Sequence, residues 1–248
     1  MANQDNRFAL LIDADNVSDR YIKFILDELS GDGVITYKRI YGDWTKPELG
    51  SWKSVLLDHS ITPIQQYGYT TGKNSTDSAM IIDAMDILYA GNVDGFCIVS
   101  SDSDFTRLAA RLRESGKIVV GMGEKKTPSA FIAACNKFKY LEVLAPVSAA
   151  NGKKPAQKHV TGTSLERVRQ AILTIIDDAS EDDQQWVPLS TIGNHLLRRF
   201  PEFDVRNYGY QKLTPLIKSF NTFEVKEILS KDTNVRRVYV RQALPEPM

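Results

Sequence analysis

The sequence is poor in the residues that build sulfur and imidazole metal cages. Its only cysteines are Cys97 and Cys135, and its only histidines are His59, His159 and His195. Each cysteine has apolar neighbours and no partner at metal-ligand spacing. Both therefore read as buried, reduced thiols in a reducing compartment rather than as a disulfide framework. The histidines fall in three separate segments, which gives no zinc set. No apolar run reaches the roughly 18 residues that a membrane helix needs. The N-terminal MANQDNRFAL lacks the basic-then-apolar pattern of a secretory leader. A cytoplasmic protein with no membrane partner is expected. Net charge is absent too, since 31 Lys+Arg balance 31 Asp+Glu.

That balance hides an asymmetry. Residues 1–150 hold 16 basic and 19 acidic side chains, a net of −3, and residues 151–248 hold 15 and 12, a net of +3. An acidic first part beside a basic second part suits a carboxylate-lined site next to an anion-binding surface, although scattered surface charge would give the same totals. The 248 residues favour two domains. Ala145-Pro146 to Gly162 is rich in Ala, Gly, Ser, Pro and Lys without apolar period, and reads as a linker. The expected division is residues 1–145, a linker at 146–162, and residues 163–248.

In the first part, short apolar runs alternate with helical periods. Strands are expected at 8–13, 34–41, 61–66, 95–100, 117–122 and 139–144. Helices are expected at 18–29, 49–58, 77–89, 104–114 and 128–135. This alternation predicts an α/β fold, a Rossmann-like parallel sheet with helices on both faces, whose ligands bind beyond the carboxyl ends of the strands. After the linker, helices are expected at 163–177, 189–200 and around 213–220, then strands at 223–229 and 235–241 joined by a turn at Lys231–Asn234. Thr163 to Glu166 has the form of a capping box. Three helices and a hairpin predict a small winged-helix-like α+β domain.

Carboxylates stand where strands stop. The first strand ends in Asp13, Asp15 and Asn16, the fourth in Ser101, Asp102 and Asp104, and Lys73 to Asp77 opens the helix between them. If the first and fourth strands are neighbours, three segments bring acids to one rim. Like charges a few ångströms apart raise one another's pKa, and a hard cation relieves that cost. Mg²⁺ or Mn²⁺ is the cofactor such oxygen ligands suit, and it would activate water for attack on a phosphodiester. Plainer roles stay open: Asp15 and Asp77 as helix caps, Asn16 as a turn residue, Lys73 as a solvated loop lysine. Asp83 is about 240° round the helix from Asp77 and cannot share its face. In the second part Arg206, Tyr208, Tyr210, Lys212 and Lys218 interleave basic and aromatic groups. The last strand puts Arg237, Tyr239 and Arg241 on one face. Such a mix can pair with phosphates and stack on bases, while the plainer role, Tyr208 and Tyr210 packing the core beside solvated basic groups, stays open.

LLIDADN (10–16), the Lys73–Asp77 step with STDSAMIIDAMD (75–86), and IVSSDSDFTRLAARLRESGKIVVGMG (98–123) together resemble the NYN domain of the PIN-like nuclease superfamily over about residues 7–144. The resemblance implies a metal-dependent endoribonuclease. It carries the acidic role onto Asp13, Asp77, Asp102 and Asp104, makes Asn16 a site residue, and adds Asp83 less surely. FPEFDVRNYGYQKLTPLIKSF (200–220) and the hairpin resemble a LOTUS, or OST-HTH, domain over about 164–241, which implies RNA binding and protein contacts. Two other functions fit the residues: an RNA-binding regulator with a silent acidic site, and a phosphohydrolase of the HAD kind. IDADNV (12–17) imitates that last family's motif, with Asp13 as nucleophile and Asp15 as acid/base. Pairing of copies through an edge strand or the winged module is also compatible with the sequence.

Overall fold

The computed structural model describes residues 5–67, 75–145, 162–179, 186–229 and 236–243, and it divides into two compact units, Met1–Ala150 and Asn151–Met248. In the first unit the chain runs β1 (Arg7–Asp13), α1 (Ile22–Ser30), β2 (Val34–Gly42), α2 (Trp52–Asp58), β3 (Thr62–Gln65), α3 (Ser75–Ala90), β4 (Gly95–Val99), α4 (Thr106–Glu114), β5 (Ile118–Gly123), α5 (Ser129–Ala134), β6 (Lys137–Tyr140) and α6 (Leu141–Leu144). All six strands are parallel, in the order β3-β2-β1-β4-β5-β6. The chain starts at the centre of the sheet, winds outward through β2 and β3, returns to the centre at β4 and winds out the other way. The order reverses between β1 and β4, where a crevice opens at the carboxyl edge.

The apolar runs become strands because both faces of the sheet are covered. Phe8, Leu10 and Ile12 of β1 pack with Cys97, Val99, Val120 and Met122 beneath α1, α2 and α6. Ala9 and Leu11 pack with Phe96, Ile98 and Val119 beneath α3, α4 and α5. A strand buried on both faces shows continuous apolarity instead of alternation. Cys97 and Cys135 are free and buried.

The structure departs from the sequence reading at several ends. The expected strand over 139–144 is a strand only to Tyr140. Leu141 and Leu144, spaced three apart, turn down as α6 onto the core shared with α1. The expected helix starts at Ser18, Leu49 and Asp104 are 3-10 turns, at Asp19–Tyr21, Pro47–Leu49 and Ser103–Phe105, that precede α1, α2 and α4.

Asp83 is not a rim residue. It accepts hydrogen bonds from the Arg39 guanidinium and the Tyr41 hydroxyl, and so ties α3 to β2. Burial, and the carboxylate beside it, push the Tyr41 phenol well above its ordinary range.

The second unit contains α7 (Leu165–Ala179), β7 (Val187–Pro188), α8 (Leu189–Arg199), α9 (Leu213–Lys218), β8 (Phe223–Leu229) and β9 (Arg236–Gln242). Its antiparallel sheet has the order β7-β9-β8. The two-residue β7 has no periodic signal and was not expected. The α7 stripe Val168, Ile172, Ile175 and Ile176 packs with Ile192, Leu196, Leu216, Ile217 and Val240 in one core. Pro215 falls in the first turn of α9, where its missing N–H costs nothing. The capping box does not form. Ser164 Oγ accepts from Arg167 N at 3.3 Å, Thr163 Oγ1 donates to Glu202 at 2.6 Å, and Glu166 is drawn to Arg169. The Lys231–Asn234 turn and nearly all of the 146–162 linker lie outside the described residues.

Replacing Asp83 by alanine strands a buried phenol and a half-buried guanidinium. The variant is expected to lose about 1–3 kcal/mol of stability, read from the midpoint of urea unfolding.

Candidate active site

Three chain segments meet at the switch point. Asp13 is the last residue of β1 and is 0% exposed. Its Oδ2 accepts from Asn16 Nδ2 at 2.7 Å and from Ser100 Oγ at 2.8 Å, and its Oδ1 accepts from the Asp15 backbone N–H at 3.1 Å. Burial pushes the Asp13 carboxyl above its ordinary value, and the donors Ser100 and Asn16 pull it part of the way back. Ser100 follows β4, whose register with β1 runs from Phe8↔Gly95 to Ile12↔Val99. That register sets Ser100 beside Asp13. A serine hydroxyl both donates and accepts, and Ser100 Oγ also accepts from Asp102 N at 3.0 Å. Asp102 in turn caps the 3-10 turn by accepting from Asp104 N at 2.9 Å.

The third segment is the start of α3. Asp15 Oδ2 accepts from Thr76 Oγ1 at 2.9 Å, and Asp15 Oδ1 lies 3.4 Å from Lys46 Nζ. This bond fixes the first turn of α3 against the end of β1 and brings Asp77, 8% exposed, to the rim. Burial, then the negative charges of Asp13, Asp102, Asp104 and Asp15 in that order, push the Asp77 carboxyl up to about 6. The helix N-terminus offsets part of this repulsion.

The structure thus brings together Asp13, Asn16, Asp77, Asp102 and Asp104, and adds Asp15, Ser100, Thr76 and Lys46. Ser100 escaped the sequence reading because VSSDSD holds three serines, and only strand register decides which one meets Asp13. Lys73 lies outside the described residues. Among the described residues, no three of these acids stand close enough to ligate one ion directly. Both Asp13 oxygens and Asp102 Oδ1 also accept local hydrogen bonds. The resemblance gave Asp13, Asp77, Asp102 and Asp104 the metal role without fixing the number of ions, and direct ligation of one ion by three of them is not what the described positions offer. The donor chemistry still fits Mg²⁺ or Mn²⁺. The rim offers carboxylate oxygens, and Mg²⁺ commonly keeps several waters and takes only one or two carboxylates.

In the second unit Tyr208 is 1% exposed, and its hydroxyl donates to Thr163 O at 2.7 Å. It is a core residue and cannot stack on a base, which corrects the RNA-contact expectation. Tyr210 is half-buried against the same core. Arg206 is exposed, with its guanidinium held by Asp204 at 2.6 Å. Lys212, Lys218 and Arg237 are exposed. On the outer sheet face Arg241 pairs with Glu224 at 2.6 Å and lies 4.7 Å from the Trp186 ring centroid. Lys226 approaches the same ring at 5.7 Å. Trp186, which the sequence reading passed over, supplies the aromatic of this basic face.

A six-stranded parallel sheet with covered faces and acids at its switch point is the architecture of a PIN-like α/β protein. Residues 7–142 match the NYN domain, and the chain belongs to that family. Residues 163–235 match the OST-HTH/LOTUS domain. The chain therefore joins a domain of a nuclease-type hydrolase family to a module of an RNA-binding type. No curated protein matches the chain. Among solved structures, it is similar to a protein of unknown function from Vibrio parahaemolyticus, 19% identical, covering 56% of this chain and 94% of that one, with a TM-score of 0.47. It is also similar to an uncharacterized protein from Nitrosomonas europaea, 28% identical, covering 41% and 94%, with a TM-score of 0.31.

The raised Asp77 carboxyl gives a stability test with a defined sign. The folded state binds its proton more tightly than the unfolded chain, so stability falls as pH rises from about 4 through about 6. Asp77→Asn is expected to melt above wild type at neutral pH, with the gain fading towards about pH 4, in thermal unfolding across pH.

Proposed function

We propose that the chain is a Mg²⁺- or Mn²⁺-dependent endoribonuclease whose C-terminal module recruits RNA. The observation that carries this is the convergence of acids from β1, α3 and β4 on one rim, linked by Ser100 and by the Asp15–Thr76 bond. Gathering that charge is unfavourable without a cation. Asp13 and Asp77 would hold the ion, and Asp102 and Asp104 would accept hydrogen bonds from its waters. Asn16 and Ser100 keep the Asp13 oxygens in place. The cation, when bound, supplies a more acidic water and neutralises charge on the leaving oxygen. The exposed Lys212, Lys218 and Arg237, with the Trp186 face, give the second unit cationic and aromatic groups for single-stranded RNA.

A cytoplasmic location is part of this proposal. Among the described residues no helix is long and apolar enough to cross a membrane, and Cys97 and Cys135 are free and buried. The match of residues 7–142 to the NYN domain speaks against the covalent phosphohydrolase reading, in which Asp13 would be the nucleophile.

Incubation of the full chain with single-stranded, duplex and structured RNAs tests the proposal. Cleavage is expected with Mn²⁺ or Mg²⁺ and none with EDTA, and Asp77→Asn or Asp102→Asn is expected to slow it by roughly ten- to a hundredfold. Intact RNA under every ion, with binding retained, would instead identify a silent RNA-binding regulator. A readout independent of activity is available as well. Mg²⁺ or Mn²⁺ competes with the proton on Asp77, so it is expected to raise the melting temperature more at about pH 7.5 than at about pH 5. That shift is expected to shrink in Asp77→Asn.

A further inference from the structure

Along the carboxyl edge of the sheet, lysine-bearing loops stand on both sides of the acids. The segment after β2 carries Lys46, whose side chain is 49% exposed and reaches Asp15. The segment after β5 carries Lys125 and Lys126, both exposed. Lys126 pairs with Glu124 at 3.0 Å, while the Lys125 backbone N–H is held by Glu142 Oε1 at 3.0 Å.

This second loop is fastened to the rim. Glu124 N donates to Ser101 Oγ at 2.8 Å, and Thr127 Oγ1 donates to Glu124 O at 2.5 Å. Gly123 approaches Ser100 so closely that a Cβ would lie 2.6 Å from the Ser100 carbonyl oxygen and 2.5 Å from Thr127 Oγ1. The lysines are therefore set at a fixed place beside the Ser100–Asp102 turn. In the sheet order, β2 and β5 are the outer neighbours of β1 and β4. Read across the edge, Lys46 stands among Asp15, Asp19 and Glu48 on the β2 side, the acids of the rim follow, and Lys125 and Lys126 stand beside Glu124 on the β5 side. Three strand spacings of roughly 4.8 Å separate β2 from β5, or about 14 Å, the scale of a few nucleotides. On the β2 side a groove of about 890 Å³ opens at Asn16, with Asp15, Ser18, Asp19, Lys46, Glu48 and Ser51 in its lining. Its hydroxyl and carboxylate groups match ribose hydroxyls and base amino groups, and Lys46 at its wall matches a phosphate.

We propose that the RNA strand lies along this edge, from the groove at Lys46 to the loop at Lys125. Lys46 and Lys125 bind phosphates on opposite sides of the scissile one. The inference rests on the nuclease reading and adds the direction of the strand across the site. Lysine suits the task, because it binds a phosphate as a point charge on a flexible stem. The acids alone repel a polyanion, so flanking cations are what hold the backbone while the scissile phosphate sits over the carboxylates. Both lysines are positioning residues.

The test measures cleavage of a labelled single-stranded RNA oligonucleotide by the full chain in Mn²⁺ over a range of salt. The proteins are wild type, Lys46→Ala, Lys125→Ala, the double variant, and Lys23→Ala, a control on the exposed side of α1. Each lysine variant is expected to raise KM roughly tenfold, the loss of one charge-assisted contact, with a smaller fall in kcat. The slope of log KM against log salt should flatten by about 0.7 for each lysine removed. Lys23→Ala is expected to match wild type. Wild-type KM and slope in the double variant would overturn the strand path and leave the nuclease reading standing. If wild type cleaves nothing with any divalent ion, that reading fails, and RNA affinity of the same proteins decides the path. Weaker binding with a flatter slope supports it, and unchanged binding overturns it.

Discussion

The parallel pairing of β1 with β4 is the constraint from which the site follows. These strands are distant in sequence, yet they are the central pair of the sheet, in register from Phe8↔Gly95 to Ile12↔Val99. Once they pair, Asp13 and Ser100 must leave the sheet side by side. Asp13 is then buried, which disfavours its charged form, while hydrogen bonds from Ser100, Asn16 and the Asp15 backbone favour it. Shifting the register by one residue would turn every side chain of the strand to the other face and take Ser100 away from the carboxylate.

The remainder of the unit supplies the rigidity that this arrangement needs. Both faces of the sheet are covered by apolar side chains, and each fully buried Leu, Ile or Phe contributes about 1.5–3 kcal/mol. That reserve offsets the cost of crowding Asp13, Asp15, Asp77, Asp102 and Asp104 at one edge. The polar links at this edge join distant segments: Ser100 joins two strands, Asp15 joins β1 to α3, and the Asp83 network anchors α3 on β2. The crowded negative charge lies at the carboxyl edge, where a cation would relieve it.

The two units divide the labour by charge. The first gathers acid at a point, with Lys46 on one side of it and Lys125 and Lys126 on the other. The second keeps a small apolar core and displays Lys212, Lys218, Arg237 and the Trp186 face outward. Tyr208 illustrates how little a residue's type decides. A tyrosine amid basic residues suits base stacking, but its ring fills the core and its hydroxyl satisfies the Thr163 carbonyl.

Composition and pattern alone determined the alternating α/β order, the parallel sheet, the two-part division and the acids at the ends of the first and fourth strands. Those features are local: apolar runs, helical periods and caps act within a few residues. Strand and helix ends shifted by a few residues, as at Leu141–Leu144, where spacing of three outweighed the apolar run. Tertiary structure decided which groups meet. It chose Ser100 over its neighbouring serines, drew Asp15 to Thr76 and Lys46, and gave Asp83 to Arg39 and Tyr41. It also buried Tyr208 and raised Trp186 to the surface of the sheet. Each of these depends on strand register or helix placement across tens of residues, and no local pattern in the chain encodes such distances.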